Sequence, residues 1–287
     1  MSLEVWAMMG AGIAALVAGL VLARGRFQAA TGAGRLLALA PVFEAAPLAV
    51  FAMGHLTAAR DLMPMVPHWL PWHLFWVYFF GVALLAAAIS FVAWRCVRWS
   101  ALLLALFFLI VVAAIDLPNL PKDAHDRFFW ILTVRETAFA GGAMVLAGSV
   151  WTKGREAGGV LMRIGRWIVA AVMVFYAIQH FFHPRNVPGV PLEKMTPAWV
   201  PAPVPIAYLV GMTLLVAGVG LFFRRTRLIS AAGAGMVLLV LTVFFYGPIC
   251  AMELRTSLAV EGLNYVFDTM LFAGTVLLSG LGAESAS

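Results

Sequence analysis

The chain has 287 residues, of which 63% are hydrophobic and 11% are charged, and its formal net charge is +6. Soluble domains carry about 25% charged residues, so this composition, with a mean hydropathy of +0.97, excludes an ordinary soluble protein and indicates a polytopic membrane protein. We interpret the positive charge as a marker of membrane topology, and we predict no nucleic-acid site from it.

Stretches that are long and apolar enough to cross a bilayer recur along the chain. A spanning helix needs about 20 apolar residues, because the bilayer core is roughly 30 Å thick and each helical residue rises about 1.5 Å. We predict about nine spans, at residues 5–23, 36–55, 73–94, 99–117, 129–151, 164–183, 204–223, 228–250 and 260–282. Pro41, Pro47 and Glu44 interrupt the second stretch, so a broken or re-entrant helix is the alternative there.

The basic residues predict how the chain is oriented. Glu4 precedes the first apolar stretch. Arginines follow it, which is the reverse of a secretory signal peptide. The later arginines fall in alternate loops on one face, at Arg95, Arg98, Arg155, Arg163, Arg166, Arg224, Arg225 and Arg227. The positive-inside rule makes that face cytoplasmic, so we expect an inner-membrane protein with its N-terminus outside and its C-terminus in the cytoplasm.

An ungapped match at an offset of 130 residues indicates an internal duplication. The residues that recur, numbered in the first copy, are Met65, Pro67, Trp69, Pro71, Tyr78, Gly81, Leu84, Leu85, Ala87, Arg95 and Pro118. We predict an all-α bundle with an N-terminal anchor over residues 1–35 and two four-helix units over 36–151 and 164–282. Each unit has an even number of spans, so the two units run parallel, unlike the inverted repeats of many transporters.

Neither the cysteines nor the histidines predict a metal site. Cys96 and Cys250 lie at opposite ends of predicted spans, which is too far apart for a disulfide. The histidines all fall at outer helix ends or in outer loops, at His55, His68, His73, His125, His180 and His183. Four ligands in a recognisable spacing are absent from the sequence. Proton relay is one interpretation of His55 and His180, and interfacial histidines satisfied by water or carbonyls are the other.

The connection between the first two helices of each unit is rich in proline and tryptophan. It contains Met-Val-Pro-His-Trp-Leu-Pro from Met65 and Met-Thr-Pro-Ala-Trp-Val-Pro from Met195. The prolines exclude a continuous helix, and the apolar composition predicts an outer interfacial loop with its tryptophan at headgroup level. A helix ending in histidine, this motif, and a helix with Tyr-x-x-Gly together resemble the DoxX-like integral membrane proteins. The resemblance continues into a basic turn and a third helix with a late proline, and it covers both predicted units.

The DoxX-like resemblance implies a redox association. Some members are tied to thiosulfate oxidation with transfer to quinone, others belong to oxidative-stress membrane complexes, and most have no assigned activity. It therefore implies a quinone as cofactor and a redox partner protein within the lipid bilayer, and it leaves open whether the chain is an enzyme. The second copy lacks partners for Glu44, His68 and His73, so we expect any working site in the first unit.

Ionisable residues inside the predicted spans are the candidate site. A charge at membrane depth costs at least about 2.5–3.5 kcal/mol, so it normally faces a partner or a cavity. Because Glu136-Thr137 and Asp268-Thr269 align at an offset of 132, we expect an acid followed by threonine at matching places. The predicted catalytic residues, which would handle protons, are Glu136, His55, Arg135 and Glu44. The predicted cofactor contacts are His180, Asp268, Trp69 and Tyr78.

An inert buried pair is the alternative for these charges. Arg135 would then pair with a carboxylate such as Glu44 or Asp116, whereas Arg135 and Glu136 are adjacent and point about 100° apart on a helix. A redox-associated protein predicts a cleft that reaches an acid and the histidine of the same unit. A non-catalytic scaffold, or a binder of a small lipophilic molecule, predicts closed ion pairs and a uniformly apolar cavity. A transporter is disfavoured by the parallel repeats.

Overall fold

The computed structural model describes residues 1–119, 126–151, 155–190 and 194–282, which form helices joined by short connections. The helices are α1 Leu3–Ala29, α2 Gly34–Thr57, α3 Ala59–Leu62, α4 His73–Ala93, α5 Val97–Val111, α6 Leu117–Asn119, α7 Arg127–Ser149, α8 Arg155–Phe182, α9 Pro203–Phe222, α10 Arg227–Leu241, α11 Gly247–Glu253 and α12 Ala259–Leu278. A 3₁₀ turn follows α3 at Met63–Met65, and π-helical turns at Val112–Asp116 and Thr242–Tyr246 join α5 to α6 and α10 to α11.

Within the described residues, eight helices are long and apolar enough to cross a membrane: α1, α2, α4, α5 with α6, α7, α8, α9, and α10 with α11. These helices indicate a multi-pass protein in a lipid bilayer. The ninth predicted span corresponds to α12, which is a helix of 20 residues. It carries Glu261, Asn264 and Asp268 and is not among these eight helices. Almost every residue of α12 from Tyr265 onward is buried by other helices.

The second predicted span is one continuous helix despite its prolines. Pro41 and Pro47 both lie inside α2 and are buried there. A proline removes a backbone donor and clashes with the preceding turn, and membrane helices tolerate this where neighbouring helices pack around the site. Because α1, α4 and α12 all pack on α2, the chain does not adopt the broken or re-entrant alternative.

The packing differs from two separately closed four-helix units. The last helix of each predicted unit packs across the boundary, since α7 lies on α8 and α12 lies on α2, and α7 and α12 also contact each other. One hydrophobic core runs through both halves. Small residues explain the close approach, because a Cβ on Gly141 would lie 2.8 Å from the carbonyl oxygen of Gly165, and one on Gly274 would lie 3.1 Å from Glu44 Cγ. Composition alone does not distinguish contacts within a unit from contacts between units.

Local backbone features recur at the spacing of the sequence match. The helices α5 and α10 begin and end 130 residues apart, and so do the two π-helical turns that follow them. Trp72 before α4 and Ala202 before α9 both adopt a left-handed conformation, with φ of 58° and 48°. The two halves therefore share these details of helix entry and helix distortion, and the positions they place in the π-helical turns matter for the site.

Replacing Gly141 by alanine is expected to destabilise the protein, whereas Gly159→Ala is not. The added Cβ at position 141 meets the Gly165 carbonyl oxygen at 2.8 Å, while nothing lies within 4 Å of one at position 159. Overpacking lowers the free energy of unfolding by about 1–3 kcal/mol. Conversion of an exposed helical glycine to alanine raises it by up to about 1 kcal/mol. Thermal unfolding of the purified variants checks this, and equal melting temperatures would contradict the close α7 to α8 contact.

Candidate functional site

A cavity of about 480 Å³ lies among α2, α4, α5, α7 and α12. Its wall is mostly apolar and aromatic, with Phe51, Val77, Phe80, Leu84, Phe107, Phe108, Val111, Phe139 and Leu271. Its polar lining comes from His55, Arg135, Glu136, Asn264 and Asp268. Glu4 of α1, Asp61 of α3 and Met65 also line it. A mostly apolar cavity with a few converging polar groups is the usual form of a small-molecule site.

An ion pair between α7 and α12 forms part of the polar lining. Arg135 Nη1 donates to Asp268 Oδ2 at 2.7 Å, and the side chains are only 12% and 11% exposed. Two charges removed from water stabilise each other when both are paired, and either alone is costly. The pair therefore joins the last helices of the two predicted units. The partner of Arg135 is the aligned acid Asp268, and neither Glu44 nor Asp116 makes this contact.

The neighbouring acid Glu136 has a different partner. Its carboxyl group lies close to that of Asp116, which ends the first π-helical turn. Carboxylates only accept hydrogen bonds, so these two groups could bond to each other only by sharing a proton. Irregular π turns are frequent at functional sites. Here the turn brings a second acid beside Glu136.

Three buried polar atoms of this cluster have no hydrogen-bond partner among the described residues: Arg135 Nε, Glu136 Oε2 and Asp116 Oδ2. A buried polar atom without a partner costs about 1–3 kcal/mol, so such atoms normally bond to water or a ligand. Arg135 offers a donor, and Glu136 offers an oxygen that can accept. Since both residues line the cavity, its inner surface is prepared for a polar group that both donates and accepts.

His55, near the end of α2, presents an acceptor to the same cavity. Its Nδ1 lies 2.8 Å from the carbonyl oxygen of Phe51, and because a carbonyl only accepts, Nδ1 carries the proton of the neutral ring. Nε2 is then a bare acceptor, and within the described part of the chain no group donates to it. His55 packs against Gly81 of α4, where a Cβ would lie 3.0 Å from the histidine Cβ.

His180 of α8 has the same local geometry and a different environment. Its Nδ1 lies 2.6 Å from the carbonyl oxygen of Tyr176, and its Nε2 accepts from the backbone N–H of Gly189 at 2.8 Å. The residue is 2% exposed. His180 is therefore bonded on both ring nitrogens by its own chain and does not line the cavity.

Charged side chains anchor the connection between α8 and α9. Lys194 Nζ lies 2.5 Å from Glu253 Oε1 and 3.2 Å from Glu261 Oε1. Partial burial on its own would lower the pKa of Lys194, but the hydrogen bonds and charges of the two glutamates outweigh burial and raise this pKa above its ordinary value. The lysine thus stays protonated and ties the connection to α11 and α12.

The remaining predicted residues lie apart from the cavity. Glu44 is 1% exposed and accepts from Thr275 Oγ1 at 2.8 Å, in the contact between α2 and α12. Trp69 and Tyr78 are 71% and 44% exposed and face away from the core. His125 lies outside the described residues. The structure therefore brings together four of the eight predicted site residues, His55, Arg135, Glu136 and Asp268.

Sequence reasoning missed several parts of the site. Asn264 lies one helical turn before Asp268 on α12 and reaches the cavity. The closeness of Asp116 to Glu136 depends on the π turn, for which the sequence gives no clear signal. Among the described residues, no group of three or more histidine, cysteine or acidic side chains is arranged to hold a metal ion.

Comparison with known proteins gives one match. Residues 44–120 match a domain of unknown function (DUF8561). No curated protein and no solved structure matches the chain. The matched region runs from Glu44 of α2 through α4 and α5, and it includes His55 and Asp116 but not Arg135, Glu136 or Asp268.

Proposed function

We propose that the chain is a DoxX-like, redox-associated membrane protein whose cavity binds the polar head of a quinone. The carrying observation is that one mostly apolar cavity reaches His55, Arg135, Glu136 and Asp268 together. A scaffold or a simple lipophilic binder would favour a uniformly apolar cavity, and such a cavity would lack these polar and charged side chains. The apolar wall suits a ring and an alkyl tail, and the polar lining suits ring oxygens.

The residues of the cavity fit the needs of such a ligand. Arg135 keeps an unpaired Nε–H that can donate to a ring oxygen while Nη1 holds Asp268. Glu136 lies close to a second acid, Asp116, and has an oxygen without a partner, so it can deliver or receive a proton at a ring oxygen. A bound quinone would supply two-electron chemistry coupled to proton transfer. Phe108 and Phe139 form part of the apolar wall.

We also propose the finer topology. The polar helix α12 is a ninth span shielded by its neighbours, the two parallel four-helix units arose by duplication, and α1 is an added anchor. The arginine distribution supports an N-terminus outside and a C-terminus in the cytoplasm of an inner membrane. In this orientation the His55 end of α2 lies toward the outer face, and a redox partner protein would approach within or outside the bilayer.

The proposal predicts saturable binding of a short-chain ubiquinone or menaquinone analogue in at least one redox state. The full chain in lipid nanodiscs is titrated, and affinity is compared for wild type, Glu136→Gln and His55→Ala. We expect each substitution to weaken binding at least about tenfold, since His55→Ala removes an acceptor and Glu136→Gln replaces one carboxyl oxygen with an NH₂ group that cannot accept. The exposed Glu156→Gln serves as the control and should leave affinity unchanged. Absence of binding, or binding indifferent to both cavity substitutions, would contradict the proposal.

A further inference from the structure

The connection between α8 and α9 inserts part of its backbone into the second half of the bundle. Val187 and Val190 are 1% and 2% exposed and belong to the main core. Gly189 between them adopts φ of +96°, and a Cβ there would lie 3.2 Å from Leu241 Cδ1 and 3.6 Å from Leu238 Cδ2. The segment 187–190 therefore occupies an apolar space between helices, and we call it the plug.

The plug presents the peptide between Pro188 and Gly189 to His180 and Tyr246. Its N–H donates to His180 Nε2 at 2.8 Å, and its carbonyl accepts from the hydroxyl of Tyr246. Because His180 accepts at Nε2 and donates at Nδ1, its ring is neutral. The second half thus shows which contacts satisfy this histidine when the space beside it is filled.

The first half has corresponding wall residues on α5, and its own connection does not fill the space beside them. Phe108 and Val111, which stand 130 residues before Leu238 and Leu241, line the cavity. Only nine residues lie between His55 and Met65, whereas fourteen lie between His180 and Met195. The shorter connection forms α3 and the 3₁₀ turn beside the cavity and does not donate to His55 Nε2. The difference in length therefore leaves an open space where the second half is filled.

The residue opposite the histidine also differs. Asp116 stands 130 residues before Tyr246, at the end of the same π-helical turn. A tyrosine reaches farther from its backbone than an aspartate by the length of a phenyl ring. The shorter aspartate leaves space near His55 and Glu136, which both line the cavity, whereas in the second half the Tyr246 hydroxyl reaches the Pro188 carbonyl.

From this comparison we infer that the cavity binds the hydroxyl-bearing, reduced form of a quinone-type ring in preference to the oxidised form. One ring hydroxyl donates to His55 Nε2, as the Gly189 N–H donates to His180. The other ring oxygen lies at the Arg135 and Glu136 end, where both donors and acceptors are present. A quinone carbonyl only accepts, so it leaves His55 Nε2 without a donor. This inference rests on the proposed function and adds the redox form that the site selects.

The test compares menadiol, menadiol dimethyl ether and menadione on the full chain in nanodiscs, under anaerobic conditions and with binding as the readout. We expect menadiol to bind about tenfold more tightly than menadione, which corresponds to one hydrogen bond. The dimethyl ether should bind no more tightly than menadione, because it has no O–H to donate. His55→Leu should abolish the preference, and the exposed His68→Leu should retain it.

The possible results distinguish preference for the reduced ring from binding of a quinone-type ring in either form. Equal affinity for menadiol and menadione, or tighter binding of menadione, overturns the inferred selection and leaves the cavity as a binding site. Binding of none of the three compounds overturns the proposed function and the inference with it. The ligand series needs no substitution, so the result stands even where His55→Leu fails to fold.

Discussion

Replacing Arg135 by glutamine is expected to cost about 3–5 kcal/mol of stability, because it leaves the Asp268 carboxylate buried without its partner. The Arg135 Nη1 to Asp268 Oδ2 bond is 2.7 Å long and nearly enclosed, so solvent screens it little. Asp268→Asn should have an effect of similar size, since it strands the guanidinium in turn. Chemical or thermal unfolding of the purified variants measures both.

The matched control is Arg163→Gln, an exposed arginine on α8, which should change stability by no more than about 0.5 kcal/mol. The double variant Arg135→Met with Asp268→Leu should recover much of the loss, because removing both charges removes the desolvation penalty. Single variants as stable as Arg163→Gln, or a double variant whose loss is the sum of the two, would contradict a mutually dependent buried pair.

Replacement by leucine at the two corresponding histidines, His55 and His180, is expected to have opposite effects on stability and on ligand binding. His180→Leu removes the acceptor for the buried Gly189 N–H, and an unsatisfied buried donor costs about 1–3 kcal/mol. His55→Leu strands no donor among the described residues, so stability should change little while ligand binding falls. Unfolding and binding are measured on both variants in one preparation.

Tyr246→Phe extends the comparison, since it removes the hydroxyl that bonds the Pro188 carbonyl. It should destabilise the protein without affecting binding at the first cavity. Equal losses of stability in His55→Leu and His180→Leu would show that both histidines are structural. A loss of binding confined to His180→Leu would show that the ligand binds in the second half and not beside His55.

Much of the fold follows from elementary patterns in the sequence. The apolar stretches at residues 73–94 and 204–223 correspond closely to His73–Ala93 and Pro203–Phe222, because length and hydropathy determine which segments can span a bilayer. The packing partners do not follow from such patterns. Whether α7 turns toward α8 depends on surfaces such as Gly141 against Gly165, and many glycine and alanine positions in this chain would allow equally close contacts.

The candidate site was predictable in its residue types more than in its pairings. The cost of intramembrane charge draws attention to Arg135, Glu136, Asp268 and Glu44 alike. The structure separates them, because Glu44 is satisfied by Thr275 away from the cavity. The ion pair joins residues 133 positions apart, and the plug depends on how the fourteen residues between His180 and Met195 are arranged. Both depend on tertiary packing, which local sequence rules do not determine.

Photolabelling with an azido-quinone, followed by peptide mapping of the adducts, directly tests whether the cavity of the first half holds the ligand. If the first half holds the ligand site, a saturable fraction of the label should attach near residues 51–66 and 77–84, which line the cavity, and excess menadiol should compete it away. The plug at 187–190 should remain unlabelled. Labelling concentrated on α8, α9, α10 or the plug, which lie apart from the cavity, or labelling that no competitor reduces, would contradict a ligand site in this cavity.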